Sequence, residues 1–300
     1  MNQAQPKIID LPKIEDERGN LSFIEGERHL PFAIRRAYWI YDVPGGEKRG
    51  SHAFRRQEEF IVALSGSFDV VLSDGVHEQR IHLSRSYRGV YVPPMYWRTL
   101  ENFSTNSLGL VLSSTHYDPE DYIWEIDRLR SERAQSAISA AEVESPSLPL
   151  PDPKSCYTLD DCQVLDLPGF TELRRGWLTA IEERSELLPF DLKRVFYIYD
   201  IPSGAVRGAH AHYEAWQFIV SASSCFEVVL DDGHQRKSIR LDRPFKGLLV
   251  PPGIWCHLHD FSSAAVALVL TSEGYDPKDY ICDYEQYLEY RRTKASESNI

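Results

Sequence analysis

Three hundred residues, 42% of them hydrophobic, exceed the roughly 100 to 150 residues of an ordinary domain and can fill two cores. Thirty-three basic against 45 acidic residues leave a net charge of −12, which repels a polyanion, so no nucleic acid partner is expected and any phosphate must meet local arginines. The opening MNQAQPKIIDLPK does not read as a signal peptide, no run of about 18 apolar residues occurs, and Cys156, Cys162, Cys225, Cys256 and Cys282 show no CxxC spacing; neither export, a membrane partner, a disulfide framework nor a structural zinc site is expected, and the expected compartment is a reducing cytoplasm.

In chain order, short runs rich in Val, Ile, Phe and Tyr come first: AYWIYDV (37–43), EEFIVALSG (58–66), FDVVLSDG (68–75) and GVYVPP (89–94), each bounded by turn residues. Short strands at a spacing of about 8 to 12 residues predict an all-β sandwich or barrel rather than βαβ units. A helix is predicted over 118–134, where an Asp cap and early acidic residues give way to a basic last turn. The Ser-, Ala- and Pro-rich stretch after it reads as a linker. The pattern then returns as VFYIYDI (195–201), WQFIVSAS (216–223), FEVVLDDG (226–233) and GLLVPP (247–252), with a second helix predicted over 276–292 and TKASESNI as a frayed tail.

The return is a duplication. An offset of 158 aligns Arg36, Tyr41, Asp42 and Pro44 with Arg194, Tyr199, Asp200 and Pro202. The same offset carries Arg49-Gly50 and His52-Ala53 onto Arg207-Gly208 and His210-Ala211, Trp97 onto Trp255, and Tyr117-Asp118-Pro119 onto Tyr275-Asp276-Pro277. Upstream an offset of 157 pairs Arg18-Gly19 with Arg175-Gly176. Solenoid repeats run at about 20 to 50 residues, so a period this long marks duplicated domains. The expected organisation is domain 1 over 1–135, a linker over 136–157 and domain 2 over 158–300.

His210 and His212 stand two apart in a predicted strand, so both imidazoles are expected to face the barrel interior. This pair, with the later Pro251-Pro252-Gly253 turn, resembles the two cupin motifs, which implies an all-β fold of two tandem cupin (jelly-roll β-barrel) domains, each with a short C-terminal helix. Cupins often hold a metal with HxH, a carboxylate and a later histidine. Here the last two positions are Gln217 and Cys256, and the first copy offers His52, Phe54, Glu59 and Arg98, whose cation would repel a divalent ion. No metal and no cofactor is expected.

The motifs as a set resemble one family, the metal-free cupin-type dTDP-4-keto-6-deoxyglucose 3,4-ketoisomerases. They read Asp16-Arg18-Gly19-Leu21, Pro31-Phe32, Arg49-Gly50-His52 and Tyr117-Asp118-Asp121-Tyr122 in the first copy. In the second they read Arg175-Gly176-Leu178, Pro189-Phe190, Arg207-Gly208-His210-His212, Asp231-Asp232-Gly233, Asp260-Phe261-Ser262 and Tyr275-Asp276-Asp279-Tyr280. The resemblance implies an isomerase that moves the ketone of a nucleotide-linked 4-keto-6-deoxyhexose from C4 to C3 through an enediol, in the supply of deoxyamino sugars to O-antigen, lipopolysaccharide or S-layer glycans. It also implies a histidine base and a tyrosine acid, residue types whose proton affinities suit those roles. On that resemblance the catalytic candidates are His52 and Tyr38 in the first copy and His210, His212 and Tyr197 in the second, where Phe196 stands at the acid position. The first copy is favoured because it holds base and acid together.

Substrate-binding candidates are Arg49 and Arg207 for the diphosphate, Arg18 and Arg98, which the resemblance places facing the sugar, Arg175, and Gln217 and His259 in the second copy. Trp97 and Trp255 either stack on sugar or base or pack under the Pro-Pro turns. Glu59 is expected to pair with a nearby arginine. The partner is a small dTDP- or UDP-linked sugar. Relatives exchange N-terminal strands in dimers, so the tandem copies are expected to form an intrachain pseudo-dimer, with Arg18 completing the second site, and a homodimer of chains is a further possibility. The alternatives are a ketoisomerase acting at other ring carbons such as C2 and C3, a non-catalytic sugar-nucleotide-binding bicupin, and a metal-dependent dioxygenase.

Overall fold

The computed structural model describes residues 4–135, 148–150, 154, 156–171 and 175–297. The described residues divide into two compact units, unit 1 drawn from 1–11, 26–147 and 168–182 and unit 2 from 12–25, 148–167 and 183–300. Each unit is a cupin barrel of two antiparallel sheets. In unit 1 a seven-stranded sheet runs Lys7–Asp10, Arg88–Val92, Glu59–Ser65, Leu108–Ser113, Arg36–Tyr41, Trp177–Glu182, Gly169–Thr171, and a five-stranded sheet runs Tyr122–Ile123, Arg49–Phe54, Trp97–Glu101, Phe68–Ser73, Glu78–Leu83. In unit 2 the orders are Gln163–Asp166, Lys246–Val250, Gln217–Ser223, Val266–Thr271, Arg194–Tyr199, Gly19–Glu25, Lys13–Asp16 and Arg236–Leu241, Phe226–Asp231, Trp255–His259, Arg207–His212, Tyr280–Ile281.

The units therefore do not follow the simple chain-order boundaries. Trp177–Glu182, which opens the second repeat, pairs along Arg36–Tyr41 in unit 1, and Gly19–Glu25 of the first repeat pairs along Arg194–Tyr199 in unit 2. Gly19 and Gly176 sit where these strands begin, both at positive φ, and a Cβ on either would lie within about 3 Å of backbone of Asp200 or Val43. That close approach explains the Arg-Gly pair at both positions.

Continuous apolar strands such as Glu59–Ser65 and Gln217–Ser223 are buried on both faces, whereas the edge strands Glu78–Leu83 and Arg236–Leu241 are largely exposed and buried only at Leu83 and Leu241. The inward faces of the two sheets meet in one core per unit, around Ile61, Phe68, Leu72 and Val111 in unit 1 and Ile219, Phe226, Leu230 and Val269 in unit 2.

The segments expected as single helices from Asp118 and Asp276 differ from expectation. Asp118 and Asp276 cap 3-10 turns, Pro119–Asp121 and Pro277–Asp279, whose second residue donates its N–H to the Asp side chain. Two residues of strand follow, Tyr122–Ile123 against Phe54–Ala53 and Tyr280–Ile281 against His212–Ala211. The α-helices begin only at Ile126 and Tyr284. The fully buried isoleucines explain the interruption: extended backbone drives Ile123 and Ile281 under the helices and turns each preceding tyrosine to the opposite face. The expected frayed tail is helical through Glu297. Most of the linker expected over 136–157 lies outside the described residues. Among those described, no helix is long and apolar enough to cross a membrane.

Candidate functional site

In unit 2 the strand Arg207–His212 carries a bulge between Gly208 and His210, opposite Cys256. Gly208 (φ +81) and Ala209 (φ +59) take left-handed backbone there. The bulge delivers His210 to the wall of a cavity of about 420 Å³. Burial first, and the neighbouring His212 second, push the His210 imidazole down to about 4, so at neutral pH it is an uncharged base. Its ring lies 4.9 Å from that of Tyr280, which lines the same cavity.

His212 does not line the cavity as expected. Its Nδ1 lies 2.8 Å from Asp279 Oδ2 and its Nε2 2.8 Å from Gln217 Nε2. Gln217 is itself in the cavity wall. His212 thus fixes Gln217 from behind.

Two of the cavity's arginines, Arg18 and Arg207, meet at one carboxylate. Arg207 is buried and donates to Asp16 Oδ1 at 3.0 Å, while Arg18, more than half exposed, donates to Asp16 Oδ2 at 2.6 Å. The bonds from Arg18 hold the Asp16 carboxyl down at about 2. A carboxylate thus holds two guanidinium groups on one ligand-sized space. Arg18 belongs to the first repeat by sequence and to unit 2 by structure.

Unit 1 arranges the same framework differently. Tyr38 Oη donates to Glu59 Oε1 at 2.7 Å and accepts from Arg98 Nη2 at 2.7 Å. Arg98 and Glu59 form a buried ion pair, with Nη2 3.0 Å from Oε1 and a further bond from Nε to Oε2. Glu59 is thus partnered by an arginine, as expected. Burial raises the Tyr38 phenol well above its usual range. His52 is buried among Phe54, Tyr122 and Trp124. Burial, then the Arg98 charge, hold it well below its ordinary value. Arg49 donates to the Arg175 carbonyl at 3.5 Å, and the exposed Arg175 guanidinium faces Glu47 at 4.0 Å.

Four expected site residues lie elsewhere. Tyr197 is fully buried on the face of its strand opposite Phe196, because alternation that puts Arg194, Phe196 and Ile198 on the cavity turns Tyr197 away from it. Trp255 packs against Tyr284, Tyr287 and Ile281 beneath the C-terminal helix, and Trp97 against Ala53, Met95, Ile123 and Leu129. His259 sits on the sheet face opposite the cavity-lining Cys256 and Leu258, with Nδ1 3.0 Å from Asp260.

Conversely, Tyr280, Tyr275 and Arg194 line the cavity without having been assigned a role. Their signal was present: each aligns with Tyr122, Tyr117 or Arg36 at the common offset. Placing the tyrosines within or beside a predicted helix concealed the direction of their side chains. Among the described residues no group of three or more His, Cys, Asp or Glu side chains is arranged to hold a metal ion.

Comparison with known proteins places both repeats. The family model described as FdtA, WxcM-like, C-terminal, matches residues 4–134 and again 160–292. The chain belongs to this family. A curated relative, the TDP-4-oxo-6-deoxy-alpha-D-glucose-3,4-oxoisomerase of Aneurinibacillus thermoaerophilus, is 41% identical over 124 residues, 41% of this chain and 89% of the relative. Among solved structures, a 3,4-ketoisomerase from Helicobacter canadensis is 34% identical over 42% of this chain and 96% of its own (TM-score 0.42). The sugar 3,4-ketoisomerase QdtA from Thermoanaerobacterium thermosaccharolyticum, in complex with TDP, is 32% identical over 44% and 97% (TM-score 0.43). This member of the FdtA family carries the family domain twice, with different side chains around His52 and His210, which are related by the offset of 158.

Proposed function

We propose that this chain moves the keto group of a nucleotide-linked 4-keto-6-deoxyhexose from C4 to C3, with unit 2 as the site most open to substrate. The observation that carries the reading is His210, an uncharged base on the wall of a cavity of about 420 Å³ that also bears Arg18 and Arg207. A cavity of that size accommodates a hexose with its polar groups oriented by a few side chains. The two guanidinium groups on Asp16 suit the diphosphate, which would take over the carboxylate's hydrogen bonds. The names of the relatives, with the family match over both repeats, support a dTDP-linked sugar.

In the reaction His210 takes the C3 proton, the electron pair forms the C3–C4 double bond, and O4 gains a proton to give the enediol. The histidine then returns its proton to C4 as O3 loses one, leaving the ketone at C3. C3 is oxidised and C4 reduced within one molecule, so no external oxidant enters. The sequence favours unit 1, where His52 and Tyr38 occur together; the geometry favours unit 2, because the Tyr38 proton is already given to Glu59.

The test is an NMR time course of the full chain with dTDP-4-keto-6-deoxyglucose in deuterated water, run on wild type, His52→Asn and His210→Asn. New 3-keto signals, lost in His210→Asn alone, support the reading, with deuterium at C4 to the extent that the proton on His210 exchanges with solvent before it is returned. Loss confined to His52→Asn moves the site to unit 1. No turnover and no exchange in wild type would sink the isomerase and leave a binding bicupin.

A further inference from the structure

Unit 2 raises a chemical problem that rests on the reading just given: the enediol step needs a hydroxyl to protonate O4, and the position of Tyr38 in unit 1 is Phe196 in unit 2. We infer that Tyr280, held by Arg194, is the proton donor of unit 2. Tyr280 Oη accepts from Arg194 Nη2 at 3.0 Å, and among the described residues no acceptor takes its own proton. That leaves the phenolic hydrogen available to a ligand oxygen, the opposite of Tyr38, whose hydrogen is given to Glu59.

Position agrees with this role. Arg194 and Phe196 point from the same face of one strand, with the guanidinium 5.1 Å from the Phe196 ring centroid. The arginine thus pins the Tyr280 hydroxyl beside the place that the missing phenol would occupy. The Tyr280 ring lies 4.9 Å from the His210 ring, so base and acid share one wall segment. Burial raises the Tyr280 phenol above its usual value, and the Arg194 guanidinium beside the oxygen offsets part of that rise by stabilising the phenolate that forms when the proton leaves.

Other cavity groups are poorer donors. Burial pushes the Cys256 thiol up to about 12, and thiols donate weakly. Tyr275 is 54% exposed, and Gln217 uses its amide nitrogen on His212. Arginines stay charged and do not release a proton. The steps balance within the site. The Tyr280 O–H bond breaks as O4–H forms, the phenolate rests on Arg194, and the proton leaving O3 restores the phenol as His210 reprotonates C4.

The experiment uses full-length chain carrying His52→Asn, so that turnover reports unit 2, with and without Tyr280→Phe. Ketone migration is followed by NMR in deuterated water and dTDP affinity by calorimetry. Expected is a loss of migration of about 100-fold or more, the scale of one acid–base group, with dTDP affinity within about threefold of the parent because the diphosphate arginines are untouched. Migration within threefold of the parent, or a loss of dTDP binding equal to the loss of turnover, overturns the assignment. A second variant keeps the shape: 3-fluorotyrosine at position 280 acidifies the phenol and is expected to move the alkaline limb of the pH profile to lower pH, and an unmoved limb also overturns it. If the His52→Asn parent is inert while wild type turns over, Tyr280 is not the donor and the isomerase stands in unit 1. If wild type is inert, the reading of function itself falls.

Discussion

The hydroxyl of Tyr38 is bonded to Glu59 in unit 1, and Glu59 in turn neutralises the buried Arg98. The second repeat replaces these as a set, with Phe196, Gln217 and Cys256. A buried charge without its partner is costly, so Glu59→Gln is expected to destabilise unit 1 by about 3 to 5 kcal/mol. The double variant Glu59→Gln, Arg98→Cys copies unit 2 and is expected to recover most of that loss. Urea unfolding of both variants checks the coupling; a double variant as unstable as the single one would contradict it.

For His210 the depressed proton affinity fixes two signs. The neutral ring is the base, so in a His52→Asn chain the acid limb of kcat/KM is expected near pH 4 rather than near the ordinary 6.5. Stability moves with it. As pH falls below 6.5 the unfolded chain binds a proton that the fold refuses until about pH 4, so stability falls across that window and levels off below it. The full effect is on the order of 3 kcal/mol, and His210→Asn is expected to remove it. Chemical denaturation at pH 7 and pH 4.5, with and without the substitution, measures the difference.

What was legible in the sequence was whatever repeats or alternates. The offset of 158 exposes the duplication, the His and Arg positions and both barrels, because identities at fixed spacing survive without any knowledge of contacts. Direction was harder to read. Tyr197 and Phe196 are neighbours in sequence and opposites in space, and only the registered strand shows which faces the cavity. Tyr280 was hidden differently. An Asp-Pro start followed by acidic residues fits a helix, yet tertiary pairing of Tyr280–Ile281 with Ala211–His212 overrides that local signal.

The tryptophans offer a direct contrast between packing and binding. Trp255 is 7% exposed and encloses Tyr287 and Ile281 against the helix. Trp255→Ala is expected to cost about 3 to 5 kcal/mol of stability. Below its own melting temperature the variant is expected to keep KM within about threefold, because the ring is absent from the cavity wall. Thermal unfolding and steady-state kinetics check the split; a raised KM at unchanged stability would restore the stacking role.

The bulge that aims His210 depends on Gly208, and a paired substitution isolates its effect. Gly208 and Gly204 share left-handed backbone, with φ of +81 and +79, but a Cβ at Gly208 would sit 3.0 Å from the Cys256 carbonyl while one at Gly204 meets nothing within 4 Å. Alanine at either position incurs the left-handed penalty of about 1 kcal/mol. Only at Gly208 must the bulge also shift, and a displacement near 1 Å at a reacting group is worth about 100-fold in rate. Gly208→Ala is therefore expected to lower kcat in the His52→Asn chain by about that factor, with Gly204→Ala within about threefold of the parent. Equal kcat in the two variants would show that the bulge does not set the position of His210.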